Sequence, residues 1–431
     1  MRDFMEAKNF YVQTYGCTSN KFDSERMMGL LQQAGHKIVA KPEQADYFLL
    51  NTCAVKSQTE ERVIHRMKEL SKSNKKMIVA GCLTKINPER IKKVVPDFSA
   101  MIDTRSIHKI TEVVVRTENG EKNIVEVSQI PGNKLLLPRF SFSNNAIVKI
   151  SEGCLSRCSF CATKFARGDL YSYRPDDIRD NIRQGLKEGC KEFHLTSEDS
   201  SAYGRDLKTN LPDLLDSISE IEGNFFVRVG MMNPLHFKRV EIKNLIEAFK
   251  SEKIFKFLHL CVQSGSNKIL KDMRRGYKVE DFVNYVAEFR KEIPQLTLET
   301  DVIVGFPTET DDDFQQTVEL VKKIKPDVVN ISRYGSRPKT DAAKMKQIDP
   351  RIVNERSGIL HDLVNKISLE KNKQWIEWKG SVIVDQKVKD FVVARNFAYK
   401  SVVIKENIPL GKIIDVEILH ADKHSIFAQT V

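Results

Sequence analysis

The chain has 431 residues, of which 41% are hydrophobic and 29% charged, and its formal net charge is +11. This balance excludes a disordered or fibrous protein, and the length predicts two or three domains. The apolar runs are too short for a membrane span and the basic N-terminus lacks a signal peptide, which predicts a cytoplasmic protein with no membrane partner. The excess of basic residues favours a polyanionic partner such as nucleic acid.

The first hundred residues predict an alternating β/α domain whose strands end in cysteine. The apolar segments FYVQTYGC, YFLLNTC and KMIVAGC alternate with amphipathic helical segments and end at Cys17, Cys53 and Cys82. The carboxyl ends of parallel strands meet at one sheet edge, where open α/β folds bind their ligands. Buried structural cysteines are one interpretation, but three equivalent positions favour a shared metal ion or cluster.

A polar linker separates this domain from a second β/α pattern and a final β pattern. Six segments of strand character alternate with helical segments, at residues 146–150, 192–196, 225–230, 256–262, 298–305 and 328–334. Six units predict an incomplete barrel, because a complete eight-unit barrel needs about 250 residues. The final short β segments predict a small barrel of the oligonucleotide-binding type. The predicted domains are an N-terminal α/β domain at 1–120, a linker at 121–145, the incomplete barrel at 146–372 and the small β-barrel at 373–431.

The stretch SEGCLSRCSFCATK follows the first of these six segments. It places Cys154, Cys158 and Cys161 in a C-x3-C-x2-C pattern. A structural zinc site needs four protein ligands, and no fourth cysteine or histidine stands nearby in the sequence. One face of a core helix is the alternative that the spacing leaves open. Three thiolates can hold three irons of a 4Fe–4S cluster and leave the fourth iron open, and this is the interpretation we favour.

This motif resembles the signature of radical S-adenosylmethionine (SAM) enzymes. With QTYGCTSN, NTCAVKSQTEERV, AGCLTK and VQSGSNKILKDMRRGY, nearly the whole chain resembles the methylthiotransferases. FCATKFARG and TSEDSSAYG resemble the branch that acts on N6-threonylcarbamoyladenosine at tRNA position 37. The resemblance implies an α/β fold: an N-terminal three-cysteine domain, a partial (β/α)6 barrel and a small C-terminal β-barrel, the TRAM domain. RYGSRPKT departs from the family pattern, as does Cys261, which replaces a usual proline. Cys261 and Cys190 are interpreted as ordinary barrel cysteines.

The resemblance also implies the chemistry. A methylthio group would be added to C2 of the modified adenine with two 4Fe–4S clusters and two SAM molecules, one cluster on each group of three cysteines. The cluster on Cys154, Cys158 and Cys161 would cleave SAM to a 5′-deoxyadenosyl radical, and the other would present the sulfur. The expected partners are the tRNA anticodon loop and an electron donor. The sequence makes no prediction of the oligomeric state.

Contacts to SAM and RNA are assigned from strand ends and motifs. The carboxyl ends of the barrel strands predict SAM contacts at Ser197, Glu198, Arg228, Gln263, Ser264, Ile303 and Phe306. The resemblance implies a further SAM contact at Phe160. The predicted RNA contacts in ARNFAYK are Arg395, Asn396, Tyr399 and Lys400. Two alternatives stay open. One is a methylthiotransferase for another tRNA adenosine or a ribosomal-protein aspartate. The other is a noncatalytic RNA-binding protein in which metal only holds the domains together.

Overall fold

A computed structural model describes residues 6–141, 144–237 and 242–431. The chain divides into two compact units. Unit 1 comprises Met1–Phe142, Ile147–Tyr173 and Gly335–Ala343, and unit 2 comprises Ser143–Ala146, Arg174–Tyr334 and Lys344–Val431. The finer domain boundaries predicted above stay a prediction. No helix in the described ranges has the length and the apolar character that crossing a membrane requires.

Unit 1 is built on a parallel sheet whose described strands lie in the order β2-β1-β3-β4-β5-β6. The strands are β1 (Asn9–Thr14), β2 (Lys37–Val39), β3 (Tyr47–Thr52), β4 (Lys76–Gly81), β5 (Ala100–Ile102) and β6 (Ile124–Glu126). The helices are α1 (Thr18–Gln33), α2 (Ser57–Leu70), α3 (Leu83–Ile86), α4 (Pro88–Val94) and α5 (Ile110–Glu118). Leu50 and Val79 pack on one face and Leu49 and Ile78 on the other, which explains the continuous apolar runs. The predicted N-terminal α/β domain is confirmed.

A second part of unit 1 carries the cysteine-rich loop. Its elements are β7 (Asn145–Lys149), which begins in unit 2, then β8 (Ser151–Glu152), α6 (Thr163–Arg167) and β9 (Tyr171–Ser172). β8 and β9 pair in the antiparallel direction and close the loop at its base. Ala162 and Ala166 belong to the same buried apolar cluster as Cys82 and Leu83. The α6 segment is therefore part of the core of the N-terminal sheet.

Unit 2 continues the β/α alternation. Its parallel strands are β10 (Glu192–Thr196), β11 (Phe226–Arg228), β12 (Phe257–His259), β13 (Thr297–Val304) and β14 (Val328–Arg333). Its helices are α7 (Pro175–Lys187), α8 (Leu211–Ser219), α9 (Pro234–Phe237), α10 (Ile242–Lys250), α11 (Asn267–Asp272), α12 (Val279–Glu292), α13 (Asp311–Ile324) and α14 (Pro350–Lys373). A parallel bridge between Met232 and Leu260 joins the two groups of strands. With β7, every strand predicted for the partial (β/α)6 barrel is present.

Unit 2 ends in a closed β-barrel. Its strands are β15 (Lys379–Val388), β16 (Phe391–Arg395), β17 (Ser401–Ile404), β18 (Ile413–Ala421) and β19 (Ile426–Thr430), in the order β15-β16-β17-β19-β18. Val382, Val392, Val402 and Val416 fill the interior. Closure pairs the strand edges and so removes unpaired backbone groups. The predicted small C-terminal barrel is confirmed.

Candidate active site

Three cysteines lie at the carboxyl edge of the sheet in unit 1. Strands β1, β3 and β4 are neighbours in this sheet, and their register brings their carboxyl ends to the same level. Cys17 precedes the first residue of α1, Cys53 follows β3, and Cys82 lies between β4 and α3. Cys17 is exposed, whereas Cys53 and Cys82 are buried. The amino end of α1 carries a partial positive charge, which favours an anionic group beside Cys17.

Gly16 and Asn20 bring these cysteines close to one another. Gly16 has a φ of +107°, and a Cβ at this position would lie 2.6 Å from Cβ of Cys53. Glycine alone therefore allows the turn after β1 to approach Cys53. The Asn20 side chain donates a hydrogen bond to the Thr52 carbonyl at 3.0 Å, and the Cys82 thiol donates to Asn20 Oδ1 at 3.7 Å. Asn20 thus links the ends of neighbouring strands.

Backbone hydrogen bonds shape the loop that holds the other three cysteines. The Cys154 N–H donates to the Gly168 carbonyl at 3.1 Å, and the Cys161 N–H donates to the Cys158 carbonyl at 3.2 Å. The Ser156 N–H donates to Sγ of Cys154 at 3.4 Å. An N–H group that points at sulfur stabilises the thiolate form and modifies the potential of a cluster bound to it. Phe160, a predicted SAM contact, is half-buried in this loop.

Both groups of cysteines belong to unit 1. Helix α6 begins two residues after Cys161, and it packs against α3, which begins directly after Cys82. The Thr104 hydroxyl donates to the Ala166 carbonyl at 2.9 Å and fixes α6 further. The two groups are therefore carried by one compact body.

Five buried charged side chains lie beneath these groups. Arg167 contacts Asp23 at 2.9 Å and Glu152 at 3.1 Å, Lys134 contacts the same two carboxylates at 2.7 and 2.6 Å, and Lys149 contacts Glu152 at 2.7 Å. Burial disfavours the charged form of Glu152, but the three cations outweigh burial and hold the pKa of Glu152 well below its usual range. We call this set the Arg167 network.

Burial controls the protonation of two cysteines at the sheet edge. It raises the pKa of Cys82 to about 12, although Arg167 acts in the opposite direction. Burial also raises the pKa of Cys53, an effect that the N–H of Val55 partly offsets. Both thiols therefore keep their protons at neutral pH until a metal displaces them.

Several predicted SAM contacts lie around the carboxyl end of the barrel strands in unit 2. Gln263 has a φ of +74°, which is uncommon for a residue with a side chain. Its N–H donates to the Asp301 carbonyl at 2.8 Å and its carbonyl accepts from the Ile303 N–H at 2.9 Å, so pairing with β13 holds this conformation. Such strained residues cluster at functional sites. Ser197 and Ser264 are buried beside other hydroxyl groups.

The other predicted SAM contacts in unit 2 differ in their surroundings. Glu198 follows β10 and is half-buried, whereas Phe306 is buried with its ring centroid 5.7 Å from that of Tyr334. Gly305, with a φ of +78°, makes the turn before Phe306. Phe306 therefore contributes packing beneath the loop that follows β13.

Arg228 lies apart from Gln263 and Ser264. Its guanidinium lies 4.7 Å from the ring centroid of Phe257, the first residue of β12, and 5.4 Å from that of Tyr399. Phe257 and Gln263 are separated by six residues of extended chain, roughly 20 Å. Arg228 thus faces the amino end of the barrel strands, which disfavours the predicted SAM contact.

The placement of the predicted RNA contacts also disagrees with their assigned role. Asn396 and Lys400 are buried, and Lys400 Nζ contacts Asp327 Oδ1 at 2.7 Å. The Tyr399 ring packs on Phe257 at 5.0 Å, and the Arg395 guanidinium lies 4.6 Å from the Tyr399 ring centroid. The sequence pattern suggested phosphate and stacking contacts to RNA, but the turn between β16 and β17 packs these side chains against other parts of unit 2. Direct RNA contact from Asn396, Tyr399 and Lys400 is not supported.

Family models match two parts of the chain. Residues 9–103 match the model described as uncharacterized protein family UPF0004, and residues 148–321 match the radical SAM superfamily. A probable threonylcarbamoyladenosine tRNA methylthiotransferase of Pyrococcus abyssi is 47% identical over 91% of this chain and 93% of its own length. The human threonylcarbamoyladenosine tRNA methylthiotransferase is 35% identical over 98% of this chain and 74% of its own length.

The chain belongs to the threonylcarbamoyladenosine tRNA methylthiotransferase family.

Solved structures agree with this assignment at the level of the fold. The radical SAM methyltransferase TsrM from Kitasatospora setae superposes with a TM-score of 0.58 at 12% identity, covering 78% of this chain and 75% of that one. The cobalamin-dependent radical SAM enzyme OxsB gives a TM-score of 0.51 at 13% identity, covering 84% and 56%. As a radical SAM enzyme, the methylthiotransferase uses SAM and a 4Fe–4S cluster.

The methylthiotransferase also contains a polar cluster in the barrel that sequence analysis missed. The Cys261 thiol donates to Asp301 Oδ2 at 2.8 Å, and Nε2 of His259 lies 3.2 Å from the same oxygen. Asn330 donates to Asp301 Oδ1 at 2.8 Å. Burial raises the pKa of Cys261 well above its usual value. His259 and Cys261 are two positions apart and so lie on one face of β12 and its extension. This spacing could have suggested the cluster from the sequence, but the sequence does not show that β12 pairs with β13, which carries Asp301.

The Arg167 network of the methylthiotransferase was missed for a similar reason. Arg167 stands within the motif FCATKFARG, but its partner Asp23 is 144 positions earlier in the chain. Lys134 lies in the segment that was interpreted as a polar linker, although the structure buries it. No local pattern signals an ion pair formed between such distant segments.

Proposed function

We propose that this protein adds a methylthio group to C2 of N6-threonylcarbamoyladenosine at position 37 of tRNA, in the cytoplasm, with two 4Fe–4S clusters and two SAM molecules. The observation that carries the proposal is the presence of two groups of three cysteines on one compact unit, in a chain of this family. The remaining cysteines, Cys190 and Cys261, belong to unit 2.

The donor atoms suit iron–sulfur clusters. Each group offers three soft sulfur ligands, and soft thiolates select iron–sulfur clusters over hard cations. Backbone N–H groups point at Sγ of Cys53 and Cys154, as is usual around cluster ligands. Cys17, Cys53 and Cys82 would hold one cluster, and Cys154, Cys158 and Cys161 the other. When bound, a cluster with an open iron supplies the electron that cleaves SAM, and a second one offers a site for the transferred sulfur.

The chain itself would orient the cofactor. The strained turn at Gln263 would hold backbone groups toward SAM, and the other contacts from unit 2 would be Ser197, Glu198, Ser264, Ile303 and Phe306. Phe160, in the cysteine-rich loop of unit 1, stays a predicted SAM contact. Arg228 is left out because it faces the opposite end of the strands. The tRNA anticodon loop would present the target base in an extruded form, because stacking on neighbouring bases restricts access to the reacting atom. An external electron donor would be needed for each turnover.

Exposed lysines of the C-terminal barrel are better candidates for tRNA phosphate contacts than the packed side chains of ARNFAYK. Lys387, Lys389 and Lys405 are exposed. Lys387 Nζ donates to Asn407 Oδ1 at 2.6 Å, so the hairpin between β15 and β16 lies beside the loop after β17. These lysines therefore lie close together at one end of the barrel, with the exposed acids Asp390 and Glu406 beside them.

Charge reversal at Lys387, Lys389 and Lys405 should weaken tRNA binding about tenfold or more at low salt. The slope of log affinity against log salt should fall by about two, since up to three phosphate contacts are lost. Filter binding over a salt series measures both values. The matched control reverses Lys291, Lys322 and Lys323, exposed lysines of α12 and α13. An equal loss in both triple variants would show that net charge alone matters.

The proposed reaction is tested by anaerobic reconstitution with iron and sulfide. The loaded protein is incubated with SAM, a reductant and tRNA that carries threonylcarbamoyladenosine, and the nucleosides are analysed by mass spectrometry. A gain of one methylthio group on that nucleoside is the expected result. Formation of 5′-deoxyadenosine without this product would keep the radical SAM enzyme and reject the substrate. Neither product from a fully loaded protein would reject the proposed function.

A further inference from the structure

Arg167 connects the two groups of cysteines. It is the last residue of α6, six positions after Cys161. Its Nη2 donates to Oδ1 of Asn20 at 2.7 Å, and the same oxygen accepts from the thiol of Cys82 at 3.7 Å. One amide group therefore separates the Arg167 guanidinium from a cysteine of the other group.

The Arg167 guanidinium is a buried cation close to the N-terminal cysteines. Arg167, its two carboxylate partners and the two lysines of the network are each no more than 3% exposed. Charges interact more strongly in such buried surroundings than in water. A 4Fe–4S core in its 2+ state bears one net negative charge when three thiolates hold it. Reduction adds a second negative charge, so a nearby cation stabilises the reduced form more than the oxidised form.

The protein fixes the position of this guanidinium. Nε of Arg105 donates to the Arg167 carbonyl at 3.1 Å, and Arg105 Nη2 donates to the Asp169 carbonyl at 3.1 Å. Gly168 has a φ of +75°, and a Cβ there would lie 2.3 Å from Nη2 of Arg105. The chain after α6 is therefore held in one conformation, and Arg167 cannot move away from Asn20 without breaking several buried contacts.

We propose that Arg167 is a positioning residue that fixes the cysteine-rich loop to the N-terminal sheet and raises the reduction potential of the cluster on Cys17, Cys53 and Cys82. This inference rests on the proposed second cluster. It assigns a redox role in the N-terminal site to a residue that follows the other cysteine motif in the sequence.

The test uses the full-length chain with Cys154, Cys158 and Cys161 replaced by alanine, so that any remaining cluster is the N-terminal one. After anaerobic reconstitution, iron and sulfide are counted and the potential is measured by redox titration with electron paramagnetic resonance. Arg167→Gln removes the guanidinium charge and keeps a polar side chain that can still donate a hydrogen bond. It should lower the potential by about 59 mV or more, a tenfold change in the reduction equilibrium.

Two further variants and a control accompany Arg167→Gln. Arg167→Lys keeps the charge and should retain most of the wild-type potential. Asn20→Asp leaves Arg167 in place and sets a negative charge beside Cys82, so it should also lower the potential; this variant serves if Arg167→Gln fails to fold. Arg157→Gln removes an exposed cation from the cysteine-rich loop and should leave the potential unchanged.

The outcomes separate this inference from the proposed function. If the N-terminal site with native Arg167 takes up no cluster, the second cluster is rejected and this inference falls with it. If the cluster assembles and Arg167→Gln and Asn20→Asp leave its potential unchanged, the redox role of Arg167 alone is rejected. A shift in Arg167→Lys as large as that in Arg167→Gln would also reject it, since the charge would then not be the cause.

Discussion

Replacement of Cys53 by serine should abolish methylthio transfer while 5′-deoxyadenosine formation continues. Cys53 is buried at the sheet edge against Gly16. It belongs to the group of three N-terminal cysteines, which is separate in sequence from the loop of Cys154, Cys158 and Cys161. A serine hydroxyl is a hard ligand that iron in a cluster binds poorly. The N-terminal cluster should therefore be lost, and iron should fall from about eight to about four per chain.

Mass spectrometry of tRNA nucleosides and chromatography of the cleaved cofactor measure the two activities of the Cys53 variant separately. Cys190→Ser is the matched control, because Cys190 is also a buried cysteine but belongs to unit 2. It should keep both activities and the full iron content. Methylthio transfer at the wild-type rate in Cys53→Ser would contradict the role assigned to the N-terminal cysteines.

Replacement of Lys400 by methionine should destabilise the C-terminal barrel by about 3–5 kcal/mol, because it leaves a buried carboxylate without its cation. Lys400 Nζ contacts Asp327 Oδ1 at 2.7 Å and Asn372 Oδ1 at 3.2 Å. The other oxygen of Asp327 accepts from the Leu298 N–H at 3.0 Å. The ion pair therefore joins the loop after β16 to α14 and to the beginning of β13.

Urea unfolding followed by tryptophan fluorescence measures this loss. The sequence has two tryptophans, Trp375 and Trp378, and both pack in the C-terminal barrel, so their emission reports on that part of the molecule. Lys405→Met removes an exposed lysine from the same barrel and should leave the unfolding free energy almost unchanged. A Lys400→Met variant with unchanged stability and reduced tRNA affinity would restore the RNA contact that the sequence suggested.

The sequence by itself determined where the strands and helices lie and which cysteines form the two groups. Apolar runs of five to eight residues between amphipathic segments predicted the N-terminal sheet, the six barrel strands and the final β-barrel, because period and composition are local properties. The positions of Cys17, Cys53 and Cys82 after successive strands predicted a common sheet edge for a similar reason. A C-x3-C-x2-C spacing is also local, so Cys154, Cys158 and Cys161 were recognisable without any coordinates.

Only the tertiary structure decided what the charged side chains do. Arg228 stood near a strand end in the sequence, but its contacts with Phe257 and Tyr399 place it toward the amino end of the barrel strands. Lys400 stood in a basic, aromatic stretch that suggested RNA, yet it is buried against Asp327. Arg167 meets Asp23 across 144 positions. The energy of an ion pair depends on distance and burial, and both are set by how separate segments pack, which no local pattern encodes.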